Sequence, residues 1–188
     1  DGTRLAAEGI PGSICVIALS PAGTMFKPVD VFYMDKIISN SLGIGVLDIL
    51  RPVEENLRAY ARAKGVAVDQ IVVIVLDKPR HRELIASIRA EGATVRLVGE
   101  GDVSAAVAAA STESDVDLVL GVGGTPEGIV AACAVRALGG FMQGRLAPQS
   151  DEQLAMAIAA GHDVDRVLEL NGLVSSDRVL CGSTPVIW

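Results

Sequence analysis

Residues 71–76 read IVVIVL and residues 77–81 read DKPRH, and the step from one to the other decides the fold. A short run of β-branched and aliphatic residues marks a strand buried on both faces; the charged, proline-containing joint stops it and opens a helix. The same alternation continues downstream. A helix is predicted from about Pro79 to Glu91, a strand over Val95–Val98, a helix over Val103–Ala110, a strand over Leu118–Val122 and a helix over Pro126–Leu138. Strands and helices alternating through short glycine-rich joints imply a parallel sheet covered by helices on its faces. Towards the N-terminus, Ile14–Leu19 reads as a strand, Pro21-Ala22-Gly23 as a turn, Thr24–Tyr33 as a second extended stretch, and Lys36–Asn40 as a third. These three suggest a β-meander. Val53–Lys64 has helical spacing, with Pro52 suited to its first turn and Glu54 and Glu55 suited to the positive end of its dipole. After Gly140 the pattern weakens; Asp151–Ala160 looks helical, and Val167–Leu170 and Arg178–Cys181 read as short strands. The expected class is α/β: a residual N-terminal β-meander followed by an α/β sandwich with a largely parallel sheet. The linker is placed at Gly65–Asp69, dividing the chain into 1–66 and 67–188.

Composition narrows the function. Half of the 188 residues are hydrophobic but only 3% are aromatic, so the core must be built from Val, Ile, Leu and Ala. Sixteen basic residues against 23 acidic give a net charge of -7, which argues against a nucleic-acid partner while leaving room for a small phosphorylated ligand held by a local cation. Cys15, Cys133 and Cys181 are far apart in apolar runs and read as buried thiols of a reducing compartment. No run approaches the roughly 20 apolar residues of a membrane span, and no leader pattern opens the chain, so a cytoplasmic protein with no membrane partner is expected. Low aromatic content and several apolar helices permit a homo-oligomer, a dimer or tetramer. An opening of Asp1-Gly2-Thr3 without Met suggests a longer parent chain.

In parallel α/β sheets, ligands bind beyond the carboxyl ends of the strands. That rule singles out three joints. Asp77-Lys78-Pro79-Arg80-His81 puts two cations and free helical amides at a strand mouth, a clamp for phosphate or carboxylate; an ordinary solvated charge cluster is the alternative. Gly99-Glu100-Gly101-Asp102 allows close backbone approach, with Asp102 able to cap the next helix; a plain turn and N-cap is the simpler alternative. Gly121 to Gly128 brings backbone towards a ligand, and Glu127 in the first helical turn can face the cleft and bind a divalent ion; a glycine-rich turn with a dipole-friendly Glu is the alternative. The spacing is not a dinucleotide fingerprint. His81 and His162 have no metal-pair spacing, and Cys15 looks like core.

Six blocks carry a further resemblance: DGT at 1–3, VFYMDKI at 31–37, LDKPRH at 76–81, GEGDV at 99–103, GVGGTPEGIVAACAVRALGG at 121–140 and QGRLAP at 143–148. In these blocks the chain resembles the class II fructose-1,6-bisphosphatases, which belong to the lithium-sensitive, metal-dependent sugar phosphatase superfamily. The similarity runs from Asp1 to about Cys181, after which the tail from Gly182 to Trp188 diverges. The resemblance implies a layered sugar-phosphatase fold in which 1–66 is the remainder of a metal-binding α+β domain and 67–188 binds substrate. It implies hydrolysis of the terminal phosphate of fructose 1,6-bisphosphate, a step of gluconeogenesis, with sedoheptulose 1,7-bisphosphate as an alternative substrate, and Mg²⁺ or Mn²⁺ as cofactor. By similarity, Asp1 and Glu127 are metal ligands, and Thr3 is the catalytic threonine. Gly2, Thr3, Tyr33, Lys78, Pro79, Arg80, Glu100, Gly101, Asp102 and Gly124 contact the sugar bisphosphate. The family's further metal carboxylates lie upstream of Asp1. A catalytically inactive sugar-phosphate-binding fragment is therefore the competing expectation.

Overall fold

The computed structural model describes residues 1–10, 12–27 and 32–185. In chain order its elements are α1 (Thr3–Ala7), β1 (Ile14–Leu19), β2 (Tyr33–Ser39), α2 (Val53–Lys64), β3 (Val72–Leu76), α3 (Arg82–Ala90), β4 (Thr94–Val98), α4 (Asp102–Ala110), β5 (Leu118–Gly124), α5 (Thr125–Ala137), β6 (Phe141–Leu146), α6 (Asp151–Ala159), β7 (Leu168–Glu169), α7 (Leu170–Leu173) and β8 (Leu180–Pro185). The fold is α/β. Six strands form one sheet in the order β4-β3-β5-β2-β6-β7. The first three are mutually parallel, and β2, inserted between β5 and β6, runs antiparallel to both. The sheet is thus parallel where βαβ crossovers build it and mixed beyond β5.

Strand alternation sends residues of β2 to opposite faces. Met34 and Ile38 join the helices α4 and α5 in one core; Ile37 joins α2 and α3 in the other. A two-stranded antiparallel ribbon of β1 and β8 then covers the outer side of α5. The layers run helix, sheet, helix, ribbon. α2 shows how local chemistry sets an element: Glu54 and Glu55 lie in its first turn and Arg62 and Lys64 in its last. Gly65, at φ 76°, closes it in the left-handed conformation that spares glycine any Cβ clash.

The N-terminal stretch read as a meander divides between two sheets instead. β1 alternates half-buried and exposed residues, suiting a ribbon covered on one side. β2 is buried along nearly its whole length and takes a central place. Of the stretch expected over 24–33, Met25 makes an isolated bridge to Val174, and residues 28–31 lie outside the described set, as do 186–188 of the tail. The expectation of three buried thiols fails at Cys15, which is exposed on the outer side of β1, and holds only in part at Cys181; Cys133 in α5 is fully buried. Among the described residues no helix is long and apolar enough to cross a membrane.

Candidate active site

The three joints leave the carboxyl ends of three adjacent parallel strands, β4, β3 and β5. Because β2 runs the other way, its first residue reaches the same edge: Tyr33 pairs in register with Gly124. The N-terminal residues close the far side, with the Ile14 amide donating to the Asp1 carbonyl at 3.0 Å. One cavity of about 480 Å³ results, lined by Asp1, Gly2, Thr3, Lys78, Arg80, Glu100, Gly101, Asp102, Gly124 and Glu127. Of the residues that the resemblance assigns to metal, catalysis or substrate, only Tyr33 and Pro79 are absent from its wall, and both support it. The Arg80 guanidinium lies 5.2 Å from the centre of the Tyr33 ring. Pro79 begins the single 3₁₀ turn Pro79–His81 that carries Arg80.

The cationic side is held from behind. Arg80 Nε and Nη2 donate to the Val122 carbonyl at 3.1 and 2.9 Å, which leaves Nη1 for other partners. His81 is buried and bridges two strand ends: its Nε2 accepts from the Val122 amide at 2.8 Å, so the proton sits on Nδ1, which donates to the Leu76 carbonyl at 2.8 Å. Gly121, at φ 113°, makes room; a Cβ there would stand 2.9 Å from His81 Nε2.

The acidic side carries two surprises. Asp102 does not cap its helix. Gly101, at φ 109°, occupies the N-cap position of α4, and the cap comes from Asp1, whose Oδ2 accepts from the Val103 and Ser104 amides at 3.1 and 3.2 Å. Asp102 Oδ2 instead forms an ion pair with Lys36 of β2, whose side chain is only 3% exposed. A Cβ on Gly123 would collide with Asp102 Oδ2 and come within 2.6 Å of Lys36 Nζ. Glu127, in the first turn of α5, folds back over Gly124, where any Cβ would strike its carboxylate. Its Oε2 is buried and has no hydrogen-bond donor. A desolvated carboxylate oxygen without a partner is costly and marks a place for a cation or a donor ligand. Among the described residues, no group of three or more His, Cys, Asp or Glu side chains forms a metal cage. Gly2, at φ 75°, precedes α1, so that Thr3, the first residue of that helix, is exposed on the cavity wall.

Sequence reasoning did not find Lys36, nor the spacing role of Gly121 and Gly123, nor the structural task of His81. The available signal for Lys36 was a lone lysine inside MDKII, on the face of the strand shared with Met34 and Ile38.

Comparison with known proteins matches the sequence to a family. The family described as "Bacterial fructose-1,6-bisphosphatase, glpX-encoded" matches residues 1–187. The D-fructose 1,6-bisphosphatase class 2/sedoheptulose 1,7-bisphosphatase of Synechococcus elongatus is 39% identical over 201 residues, covering 98% of this chain and 58% of that protein. The protein of the same description from Thermosynechococcus vestitus is 38% identical over 202 residues, again covering 98% of this chain and 58% of its own length. The chain therefore spans less than two thirds of these relatives, yet nearly all of it lies within the match, and it belongs to the glpX-type, class II fructose-1,6-bisphosphatase family.

Proposed function

We propose that this chain binds a sugar bisphosphate and serves metal-dependent hydrolysis of its terminal phosphate, with fructose 1,6-bisphosphate as substrate and sedoheptulose 1,7-bisphosphate as the alternative. The observation that carries this reading is the sharing of one cavity by a cationic clamp, Lys78 and Arg80, and a carboxylate oxygen, Glu127 Oε2, that is buried without a donor. A bisphosphate needs both: a fixed grip for one phosphate and a charge-neutralising centre for the other.

In this reading Lys78 and Arg80 hold the phosphate that is not cleaved, and the Tyr33 ring stiffens Arg80. Glu100 and Asp102 accept hydrogen bonds from sugar hydroxyls, while the Gly101 and Gly124 backbones let the ligand approach. Thr3 aims the attacking water, and Gly2 places it. Asp1 and Glu127 fit a divalent cation, Mg²⁺ or Mn²⁺, in the chemistry of their donor set, although they supply only part of its shell. When bound, such an ion lowers the pKa of a water ligand and neutralises charge on the phosphoryl oxygens. In this reading residues 1–66 belong to the metal-side unit and 67–188 to the substrate-side unit, although Glu127 of the latter reaches the metal side and β2 of the former runs inside the sheet of the latter. The second reading, a sugar-phosphate-binding unit without catalysis, is favoured by the lack of a three-residue metal cage among the described residues.

Calorimetric titration of Mn²⁺ and of each sugar bisphosphate, followed by a phosphate-release assay, separates the two. Metal-dependent release supports the hydrolase; binding without release supports the second reading; no binding of either bisphosphate at millimolar concentration sinks both. Glu127→Gln is expected to weaken the metal titration and Arg80→Ala the sugar titration. The reverse pattern would overturn the two roles.

A further inference from the structure

Lys36 stands apart from every residue placed in the cavity wall. It is the one lysine buried inside the six-stranded sheet among the described residues, and it does not line the cavity. An ammonium taken out of water costs several kcal/mol unless it is paired and hydrogen-bonded. Two separate features of the chain serve that pairing. Gly123 leaves the space in which Nζ meets Asp102 Oδ2. Asp1, reaching in from the N-terminus, accepts the first free amides of α4, so that Asp102, the first residue of the helix, is not drawn to them. One oxygen of Asp102 is thereby fixed from behind while the residue still lines the cavity.

We infer that Lys36 is a positioning residue: by holding Asp102 Oδ2 it locks the side chain so that Oδ1 faces the ligand and accepts a hydroxyl hydrogen bond, selecting a phosphorylated polyol over a bare bisphosphate. The assignment rests on the sugar-bisphosphate reading of the cavity. It predicts that the pair governs hydroxyl recognition and leaves the phosphate clamp of Lys78 and Arg80 untouched. A purely structural ion pair would instead weaken all ligands together when broken.

The test is calorimetric titration of the 188-residue chain and its variants with three probes: fructose 1,6-bisphosphate, 1,6-hexanediol bisphosphate, which has the phosphates without the hydroxyls, and inorganic phosphate. Lys36→Met is expected to weaken the sugar bisphosphate roughly tenfold or more, the scale of a hydrogen bond to a charged group, and to leave the other two probes within about twofold. Asp102→Asn should do the same, and the double variant should be no worse than Asp102→Asn alone, because coupled residues act as one unit. Lys36→Gln keeps an N–H donor on the side facing Asp102, one bond shorter than the lysine, and loses the charge. It should fall between wild type and Lys36→Met, and it carries the test if Lys36→Met does not fold. Failure of both to fold would make the pair a structural staple and overturn the assignment, as would equal weakening of all three probes or no weakening at all. A wild-type chain that binds hexanediol bisphosphate as tightly as the sugar overturns the hydroxyl selectivity and leaves the clamp standing. One that binds neither bisphosphate removes the sugar-bisphosphate reading and this inference with it.

Discussion

The two faces of the main sheet are built from different materials. Against one face lie α2 and α3, whose contacts are large: Leu57, Tyr60, Ile85 and Ile88 meet Ile37, Val73, Val75, Leu118 and Leu120. Against the other lie α4 and α5, whose contacts are mostly small: Ala105, Ala106, Ala109, Ala110, Ala131 and Ala132, with Cys133, beside the larger Ile129 and Val135. α2 shows a wet side to solvent and needs only one apolar stripe. α5 is closed in by the sheet, α4, α7 and the β1–β8 ribbon, so almost its entire surface is buried. Small residues let α4 and α5 approach each other closely, and their N-terminal turns then deliver Asp102 and Glu127 to one cavity. One face stores stability and the other sets geometry. The contrast can be broken in four places.

The largest effect is expected at Leu57, which is fully buried on α2. Leu57→Ala should cost roughly 2–5 kcal/mol, read as a lower denaturant midpoint, while the dissociation constant for fructose 1,6-bisphosphate stays within about twofold. A matching loss of binding would mean that the two faces are not separable.

Tyr60 tests the same face through pH. Burial, reinforced by the negative charge of Asp117, pushes its hydroxyl up to about 12 from the ordinary 10.0. A raised pKa means that the folded state holds this proton more tightly than the unfolded chain. The contribution is therefore whole below pH 10 and disappears as pH climbs towards 12. A shift of that size corresponds to roughly 2–3 kcal/mol. Stability followed from pH 9 to 12 should fall accordingly, together with the late tyrosinate absorbance, and Tyr60→Phe should remove both. A flat profile would contradict the tight closure of the α2 side.

On the other face, Ala132 is fully buried in α5. Ala132→Leu adds volume where nothing can yield, and should cost about 1–3 kcal/mol. Unlike Leu57→Ala, it should also weaken sugar-bisphosphate binding, since α5 must shift to take the extra atoms and carries Glu127 with it. Loss of stability with unchanged binding would refute the claim that the small-residue face sets the site.

This division also explains what the sequence made legible. IVVIVL at 71–76 and LVLGV at 118–122 are continuous apolar runs because they are buried on both faces, and the joints after them could be read as a ligand-binding edge. The Val53–Lys64 helix was legible to its ends, because an amphipathic helix on the surface carries its own caps and charges. β6 was not. FMQGRL at 141–146 is interrupted by Gln143, Gly144 and Arg145, and Gly144 is there because Met34 of β2 fills the place a Cβ would need, its Sδ only 2.6 Å away. The pairing of β1 with β8 joins segments about 165 residues apart and leaves no local trace. Lys36 was hidden for a similar reason: its partner, Asp102, lies 66 residues away.

The smallest expected effect lies beside Lys36 and sharpens the comparison within a single strand. Lys36 points to the site face and is paired; Asp35, the preceding residue, points to the α2–α3 side at the edge of a cavity lined by Asn56 and Leu84. There burial raises its carboxyl above the ordinary 3.8, against the opposing pull of the Lys36 amide, which donates to Oδ1 at 3.0 Å, and of Arg145. Arg145 sits directly across from it in the ladder. A raised carboxylate pKa means that Asp35 favours the folded state in its protonated form. That advantage is complete below the ordinary value and is lost as pH rises through the folded one, so at pH 7 the ionised group is a net cost. Asp35→Asn should therefore raise stability at pH 7 by about 1 kcal/mol or less, within the usual span of single substitutions. The gain should shrink towards zero near pH 4, read from denaturant midpoints at both pH values. Because Asp35 lies on the stability face, sugar-bisphosphate binding should not change; a loss of binding without the gain in stability would place this carboxylate, like Asp102 on the other side of the strand, in the service of the ligand.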